Sequence, residues 1–138
     1  MTQEEKQLLL KDLCARMPYG VKVHVGDDWA MTLRQIDYKC FCECWENEYI
    51  KNNSRWMLPY LRPMSSMTEE EKRELAEEQK KDEELFLYII HKSQEGDDSL
   101  LGTAIPHYAE DWANKNHFDY RGLIPMGLAL EAPEGMYK

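Results

Sequence analysis

The sequence lacks any long hydrophobic run. No apolar stretch in its 138 residues approaches the roughly 18 that a transmembrane helix needs. The first residues, MTQEEKQLLLKDL, begin acidic and lack the basic segment, long apolar core and cleavage site of a signal peptide. These absences predict a cytoplasmic protein without a membrane anchor, whose four cysteines are thiols rather than disulfides.

Positive charge is also scarce. The chain has 17 lysines and arginines against 26 aspartates and glutamates, a net charge of -9. Nucleic-acid-binding proteins usually present a basic face, and anionic membranes attract basic segments. The charge balance therefore argues against both kinds of partner. A hydrophobic content of 43% predicts a globular domain rather than a disordered chain.

Familiar catalytic motifs are absent. The sequence has no G-x-S-x-G, no G-x-x-x-x-G-K-[ST] and no G-x-G-x-x-G. His107 and Asp111 are four residues apart on a predicted helix, but they lack the H-E-x-x-H spacing and a third ligand. A cysteine–histidine pair stays open, although nothing marks any cysteine as activated. No catalytic residue and no cofactor is predicted.

Three cysteines alternate along one predicted strand. Cys40, Cys42 and Cys44 would lie on one face, roughly 6 to 7 Å apart from one to the next. A structural zinc site usually combines a C-x2-4-C pair with a distant second pair. That pattern is missing here, and only Cys14 and His24 could complete the set. We therefore interpret the thiols as packing in the core, with a small metal protein or enzyme as the alternative.

The N-terminal half reads as one helix followed by short strands. Thr2 and Glu5 form a capping box, and the turn residues at 18–20 end the helix that it starts. Apolar residues then alternate on both sides of a predicted turn at 26–28, which indicates a hairpin with one buried face. Further short strands are predicted at 36–45 and 55–58. Among simple folds, an SH3-like half-barrel is the one that this arrangement of short strands resembles most.

The stretch 56–67, WMLPYLRPMSSM, joins the two halves of the chain. Pro59 and Pro63 lack backbone donors, so neither a helix nor a central strand is expected to pass through it. Its many apolar residues predict an ordered, extended connection packed on a core. Thr68 and Glu71 then form a second capping box, which predicts a helix start.

The helix that begins there is strongly acidic. Residues 69–84 contain nine acidic and four basic side chains, a net charge of -5. Such a helix cannot bury a wide apolar stripe, so it should either project from the body or lie on it with one thin edge. It could be simply solvated, could bind a basic protein, or could mimic a nucleic-acid backbone as an acidic inhibitor. Its candidate interaction residues are Glu70, Glu74, Glu77 and Glu78.

The rest of the chain is predicted to be mainly helical. The apolar run Leu85 to Ile90 should be the buried end of the acidic helix, because no glycine or proline separates the two. A further helix is predicted at 103–117. Asp119 then caps a short turn, and residues 128–130 form an edge strand or a docked tail. The prediction is one α+β domain, with a helix and small antiparallel sheet at 1–67 and a mainly helical part at 68–138.

Three arginines, Arg55, Arg62 and Arg121, stand among aromatic residues in this acidic chain. Arg62 lies two residues after Tyr60, and Arg121 directly follows Tyr120. Arginine and aromatic residues dominate binding hot spots, which suggests a recognition patch. The competing interpretation, which we favour, is that Arg62 and Arg121 pair with carboxylates such as Asp119 and hold the two halves together.

Three stretches carry a family resemblance: PYLRPMSSMTEEEK at 59–72, NHFDYRGLI at 116–124 and GLALEAP at 127–133. Together they cover about a quarter of the chain. They resemble a family of short proteins of gut anaerobic bacteria, their phages and mobile elements, for which no activity is assigned. The resemblance implies a bacterial or phage intracellular setting and transfers no catalytic or binding residue. The function expected is a non-catalytic cytoplasmic accessory protein that binds another protein.

Overall fold

The computed structural model describes residues 1–25, 29–36, 55–99 and 106–137. The chain forms two compact units. Unit 1 comprises Met1–Ser66 and Asn114–Lys138, and unit 2 comprises Met67–Ala113. The C-terminal segment thus belongs to the same unit as the N-terminal helix and strands. The architecture is α+β, as predicted.

Helix α1 (Gln3–Arg16) opens unit 1. Its capping box is confirmed: the Thr2 hydroxyl accepts from the Glu5 amide at 3.1 Å, and the Glu5 carboxylate accepts from the Thr2 amide at 2.7 Å. A 3-10 turn, Met17–Tyr19, follows and ends at Gly20, whose φ of 72° favours glycine. Leu9 and Leu13 point into the core and are fully buried.

Strands β1 (Lys22–Val25) and β2 (Trp29–Thr32) form the predicted antiparallel hairpin. The prediction that one face of both strands is buried is wrong for β2, because Trp29 is 56% exposed and Met31 is 48% exposed. In β1 the alternation also fails, since His24 is buried between Val23 and Val25. His24 can be buried because its Nδ1 lies 2.9 Å from the Tyr60 hydroxyl.

The chain between the two prolines lies at the centre of the hydrogen-bonded strands. Strand β3 (Tyr60–Leu61) pairs in parallel with β4 (Leu130–Glu131), and Pro59 forms a bridge to Val23 on the other side. Strand β3 lies between the two prolines and includes neither, and Leu58, Tyr60 and Leu61 are buried, so the predicted extended connection packed on a core is confirmed. The missing amide is tolerated because Pro59 serves as an acceptor: its carbonyl receives the Leu130 amide at 2.8 Å.

The strand predicted at 55–58 is also absent. Arg55–Met57 form a turn, and Met57 has a positive φ of 62° that an extended strand does not adopt. The parallel β3–β4 pair has no counterpart in an all-antiparallel SH3-like barrel. The other predicted strand, 36–45, lies outside the described residues apart from Ile36, as does the 26–28 turn.

Unit 2 is built on helix α2 (Glu69–Gln94). Its predicted start is confirmed, since Thr68 and Glu71 make both hydrogen bonds of the capping box at 3.1 and 3.0 Å. Residues 85–90 continue this helix, as predicted. The prediction that they form its buried end is wrong, because within this stretch only Ile89 is buried.

Helix α3 (Tyr108–Lys115) is shorter than the helix predicted at 103–117, of which 103–105 lie outside the described residues. Within unit 2 its first turn is held by Asp82, whose two carboxylate oxygens accept from the amides of Tyr108 and Ala109 at 2.7 and 3.0 Å. Asp82 therefore acts as a cap supplied by another helix, a contact that no local pattern predicts.

Candidate functional sites

A buried ion cluster occupies the core of unit 1. Asp12 and Arg16 are fully buried, and the Arg16 Nε donates to both Asp12 oxygens at 3.0 and 2.9 Å. Arg121 Nη1 donates to the same carboxylate at 2.6 Å, with its side chain 11% exposed. Arg16 also donates to the Phe118 carbonyl at 2.6 Å. One carboxylate thus joins α1 to a segment more than 100 residues away.

The predicted pairing of Arg121 with a carboxylate is confirmed, and the acid is Asp12, which the sequence analysis did not name. Asp119 accepts from the amides of Leu123 and Ile124 at 2.8 and 2.9 Å. This confirms Asp119 as the cap of the turn that follows it. Sequence inspection missed Asp12 and Arg16. Their four-residue spacing, on the side of α1 that carries Leu9 and Leu13, was the available signal.

The predicted recognition residues do not form one exposed patch. Tyr60 is buried, and its hydroxyl faces His24. Tyr120 lies beside the ion cluster, with the Arg121 guanidinium 4.6 Å from its ring centroid. Arg62 lies 4.1 Å from the ring centroid of Phe118. Of these arginine–aromatic contacts, the one between Arg62 and Phe118 joins distant segments of unit 1, whereas Arg121 and Tyr120 are neighbours in the chain. The pairing of Arg62 with a carboxylate stays a prediction.

His117 and Tyr137 form a second polar centre in unit 1. Their rings stack at 3.8 Å between centroids with an interplanar angle of 17°. The Tyr137 hydroxyl donates to the Tyr60 carbonyl at 2.6 Å and accepts from the Lys22 amide at 2.9 Å. Burial raises the Tyr137 pKa to about 12, so this hydroxyl stays protonated. The penultimate residue of the chain is thereby fixed to two strands.

The His117 ring is kept neutral. Burial, together with the positive charges of Arg16 and Arg62, lowers its pKa to about 4, although a hydrogen bond to the Tyr19 backbone opposes the shift. Its Nδ1 is buried and has no hydrogen-bond partner in the described part of the chain. The residue also has a positive φ of 61°, which costs a non-glycine residue conformational energy.

A pocket of about 330 Å³ opens above this pair. All of its described lining residues belong to unit 1. They come from the 3-10 turn, the start of β1, the end of β3, the end of α3 and the C-terminal segment: Tyr19, Gly20, Lys22, Arg62, Lys115, Asn116, His117, Met136 and Tyr137. The lining includes three cationic residues, Lys22, Arg62 and Lys115, and, among the described residues, no acidic one.

The acidic candidates all lie on α2, in unit 2. Glu70, Glu74, Glu77 and Glu78 lie in its N-terminal half. Glu74 accepts from the Trp112 indole at 3.2 Å, and Glu78 pairs with Lys81 at 3.0 Å. Lys72 similarly pairs with an acidic neighbour one turn away, so part of the negative charge is neutralised within the helix.

An apolar patch follows the acidic part of α2. Phe86 is 62% exposed, Leu87 57% and Ile90 38%. Residues separated by one and four positions lie within about 100° on a helix, so these three side chains share one face. We call them the α2 apolar patch. Scattered exposed apolar residues are ordinary, but three on one helix face form a contiguous patch, which makes it a candidate interaction site.

Among the described residues, His107 and Asp111 do not assemble a metal site. His107 and Asp111 are exposed, and the contact between them is the backbone bond from the Asp111 amide to the His107 carbonyl. Within the described ranges, no group of three or more histidine, cysteine, aspartate or glutamate residues could hold a metal ion. Cys14 is exposed. Cys40, Cys42 and Cys44 lie outside the described residues, so their predicted core packing stays a prediction.

Comparison of the chain with protein-family models, curated proteins and solved structures finds no match. No helix among the described residues has both the length and the apolar character required to cross a membrane. The functional assignment must therefore come from the surfaces of the two units themselves.

Proposed function

We propose that this chain is a non-catalytic accessory protein, acting in the cytoplasm, that binds a basic protein through helix α2. The observation that carries the proposal is the α2 apolar patch, which continues directly from a helical segment of net charge -5. A partner with an apolar groove flanked by lysines and arginines would complement both features, as in other helix-in-groove complexes.

The acidic segment would provide attraction and orientation, whereas the patch would provide the buried contact. Complementary charge mainly accelerates association and selects partners. Burial of Phe86 and Leu87 against the partner supplies the hydrophobic contribution, since aromatic and large aliphatic side chains bury the most apolar area. Binding should therefore weaken with added salt and should depend on both parts of the helix.

A second copy of the chain fits this surface less well. The three side chains of the α2 apolar patch offer on the order of 300 Å² of apolar area, and a stable interface buries about 1,200 to 2,000 Å² in total. Extending the contact along the helices would bring two segments of net charge -5 together. Like charges across an interface are unfavourable, so a basic partner is the better match.

The test is affinity capture from the native host with four baits, followed by binding measurements on the purified partner. The baits are the intact chain, a Phe86→Ser/Leu87→Ser variant, and a variant with glutamine at Glu70, Glu74, Glu77 and Glu78. The control is Trp29→Ser/Met31→Ser, which removes two apolar side chains of comparable exposure from unit 1. Circular dichroism first establishes that all four are folded.

The proposal expects one partner that the intact chain and the control both capture and that both α2 variants lose. With purified components, its dissociation constant should rise steeply as salt is added. A partner that binds the α2 variants as well as the intact chain contradicts the proposal. An interaction whose dissociation constant does not change with salt also contradicts the proposal. Self-association through the α2 apolar patch, detected by light scattering, would contradict it as well.

A further inference from the structure

The α2 apolar patch has an acidic residue on its own face, Glu83. Successive residues of a helix are about 100° apart, so positions separated by three, four and seven residues lie along one stripe. Glu83, Phe86, Leu87 and Ile90 have this spacing, and all four are exposed. We call them the α2 stripe. It has the spacing with which an amphipathic helix presents its contact residues to a partner, and a carboxylate stands at one end of it.

The four acidic candidates that precede the patch lie on other sides of α2. From the middle of the α2 stripe, each of them is about 130° or more away around the helix. Two of them also have contacts within unit 2, since Glu74 accepts from the Trp112 indole and Glu78 pairs with Lys81. These carboxylates can attract a basic partner from a distance, but they do not lie beside a group that is seated on the α2 stripe.

Glu83 is available for a new partner. It is exposed, and its carboxylate forms no ion pair or hydrogen bond with another described residue. Lys80, one turn earlier, is also exposed and does not pair with it. Glu69, by contrast, pairs with Lys72 at 2.9 Å. A partner that covers the patch would take water from the Glu83 carboxylate, and a cation on the partner would offset that cost.

We propose that Glu83 selects the partner of α2 by pairing with a lysine or arginine that lies beside the partner's apolar surface. The assignment rests on the proposed function of α2 and adds the residue that makes the contact specific. The apolar members of the stripe contribute area against any apolar surface, because apolar burial is non-directional. The carboxylate accepts charge-assisted hydrogen bonds from a cation, and it disfavours a neutral or acidic surface at the same place.

The test is NMR titration of the intact chain with three synthetic helical peptides at physiological ionic strength. The first peptide combines a face of leucines with flanking lysines. The second replaces those lysines by glutamates, and the third replaces the leucines by alanines. The leucine–lysine peptide should give saturable shifts at the amides of the α2 stripe and smaller shifts at Glu77. The other two peptides should bind about tenfold more weakly or less, because each lacks one half of the contact.

Two single variants test the carboxylate. Glu83→Gln removes a charge from the α2 stripe, and Glu77→Gln removes the same charge from an exposed position about 120° away around the helix. Glu83→Gln should weaken binding of the leucine–lysine peptide about fivefold or more, whereas Glu77→Gln should change it by less than about twofold. The preference for lysines over glutamates should fall in Glu83→Gln alone. Both positions are exposed, so both variants should fold, which circular dichroism checks.

Three results would overturn the inference. The first is the absence of saturable shifts on the α2 stripe with the leucine–lysine peptide. The second is a set of shifts spread evenly along the acidic segment, which would show attraction without a site. The third is equal affinity of Glu83→Gln and Glu77→Gln for that peptide, which would leave Glu83 no special role.

The Phe86→Ser/Leu87→Ser variant separates this inference from the proposed function. If it loses the leucine–lysine peptide while Glu83→Gln keeps full affinity, the role of Glu83 is wrong and the role of the α2 apolar patch is retained. If it binds the peptide as tightly as the intact chain does, the α2 apolar patch is not the contact and both proposals fail.

Discussion

Replacing Asp12 by asparagine should strongly destabilise unit 1. The Asp12 carboxylate is fully buried and accepts from two arginines, of which Arg16 is also fully buried. Asparagine preserves the shape but removes the charge, and its amide group places N–H donors where a guanidinium also donates. Two buried or nearly buried cations then lose the carboxylate that compensates them.

The magnitude follows from these contacts. A hydrogen bond to a charged group contributes about 1.5 to 3 kcal/mol, and removing one partner of a buried ion pair costs about 3 to 5 kcal/mol. Domains are stable by only about 5 to 15 kcal/mol. Asp12→Asn should therefore remove a large part of the stability of unit 1. At roughly 3 to 4 °C per kcal/mol for a chain of this size, Tm should fall by about 10 to 20 °C.

Urea and thermal unfolding, followed by fluorescence and circular dichroism, measure this change. Glu77→Gln is the matched control, because it removes one negative charge from an exposed position on α2 and should change stability by less than about 0.5 kcal/mol. A double-mutant cycle between Asp12→Asn and Arg121→Gln should give a coupling energy of about 1 to 3 kcal/mol. A loss below about 1 kcal/mol for Asp12→Asn would refute the reasoning.

Three further predictions concern the pocket floor and α2. The pKa of His117 falls from 6.5 to about 4 on folding, so the unfolded chain binds the proton more readily than the folded one. The free energy of unfolding should therefore drop by up to about 3 kcal/mol as the pH is lowered from 6.5 to 4. In urea unfolding across this range, His117→Asn should flatten the pH dependence, and an unchanged slope contradicts the assignment. Tyr137→Phe leaves the Tyr60 carbonyl without the hydroxyl that donates to it, so the free energy of unfolding in urea should fall by about 1 to 3 kcal/mol. A smaller loss would contradict this estimate and would mean that water replaces the hydroxyl. Thr68→Ala removes the acceptor for the Glu71 amide and should lower the stability of the helix start by about 1 kcal/mol. Hydrogen exchange should show faster exchange of the amides in the first turn of α2, and unchanged exchange there would contradict the cap.

The helix starts could be predicted from sequence because capping is local. Thr2 with Glu5 and Thr68 with Glu71 are pairs three residues apart, and both make the two expected hydrogen bonds. The continuation of α2 through Leu85 to Ile90 was equally accessible, since no helix-breaking residue intervenes. These features depend on neighbouring residues alone.

Burial could not be predicted in the same way. The run LFLYII was expected inside, yet Phe86 and Leu87 are exposed, while the charged Asp12 and Arg16 are fully buried. A helix pattern tells which residues share a face, but it does not tell whether another element covers that face. For that reason the apolar patch that supports the proposed function became visible only in the structure.

The sequence by itself determined the α+β class, both capped helices, the hairpin and the acidic segment of α2. Only the tertiary structure decided that Arg121 pairs with Asp12, that β3 pairs in parallel with β4, and that Tyr137 and His117 form the floor of a cationic pocket. Each of these contacts joins segments far apart in the chain. Which distant segments meet depends on the whole path of the backbone, and no local pattern records that path.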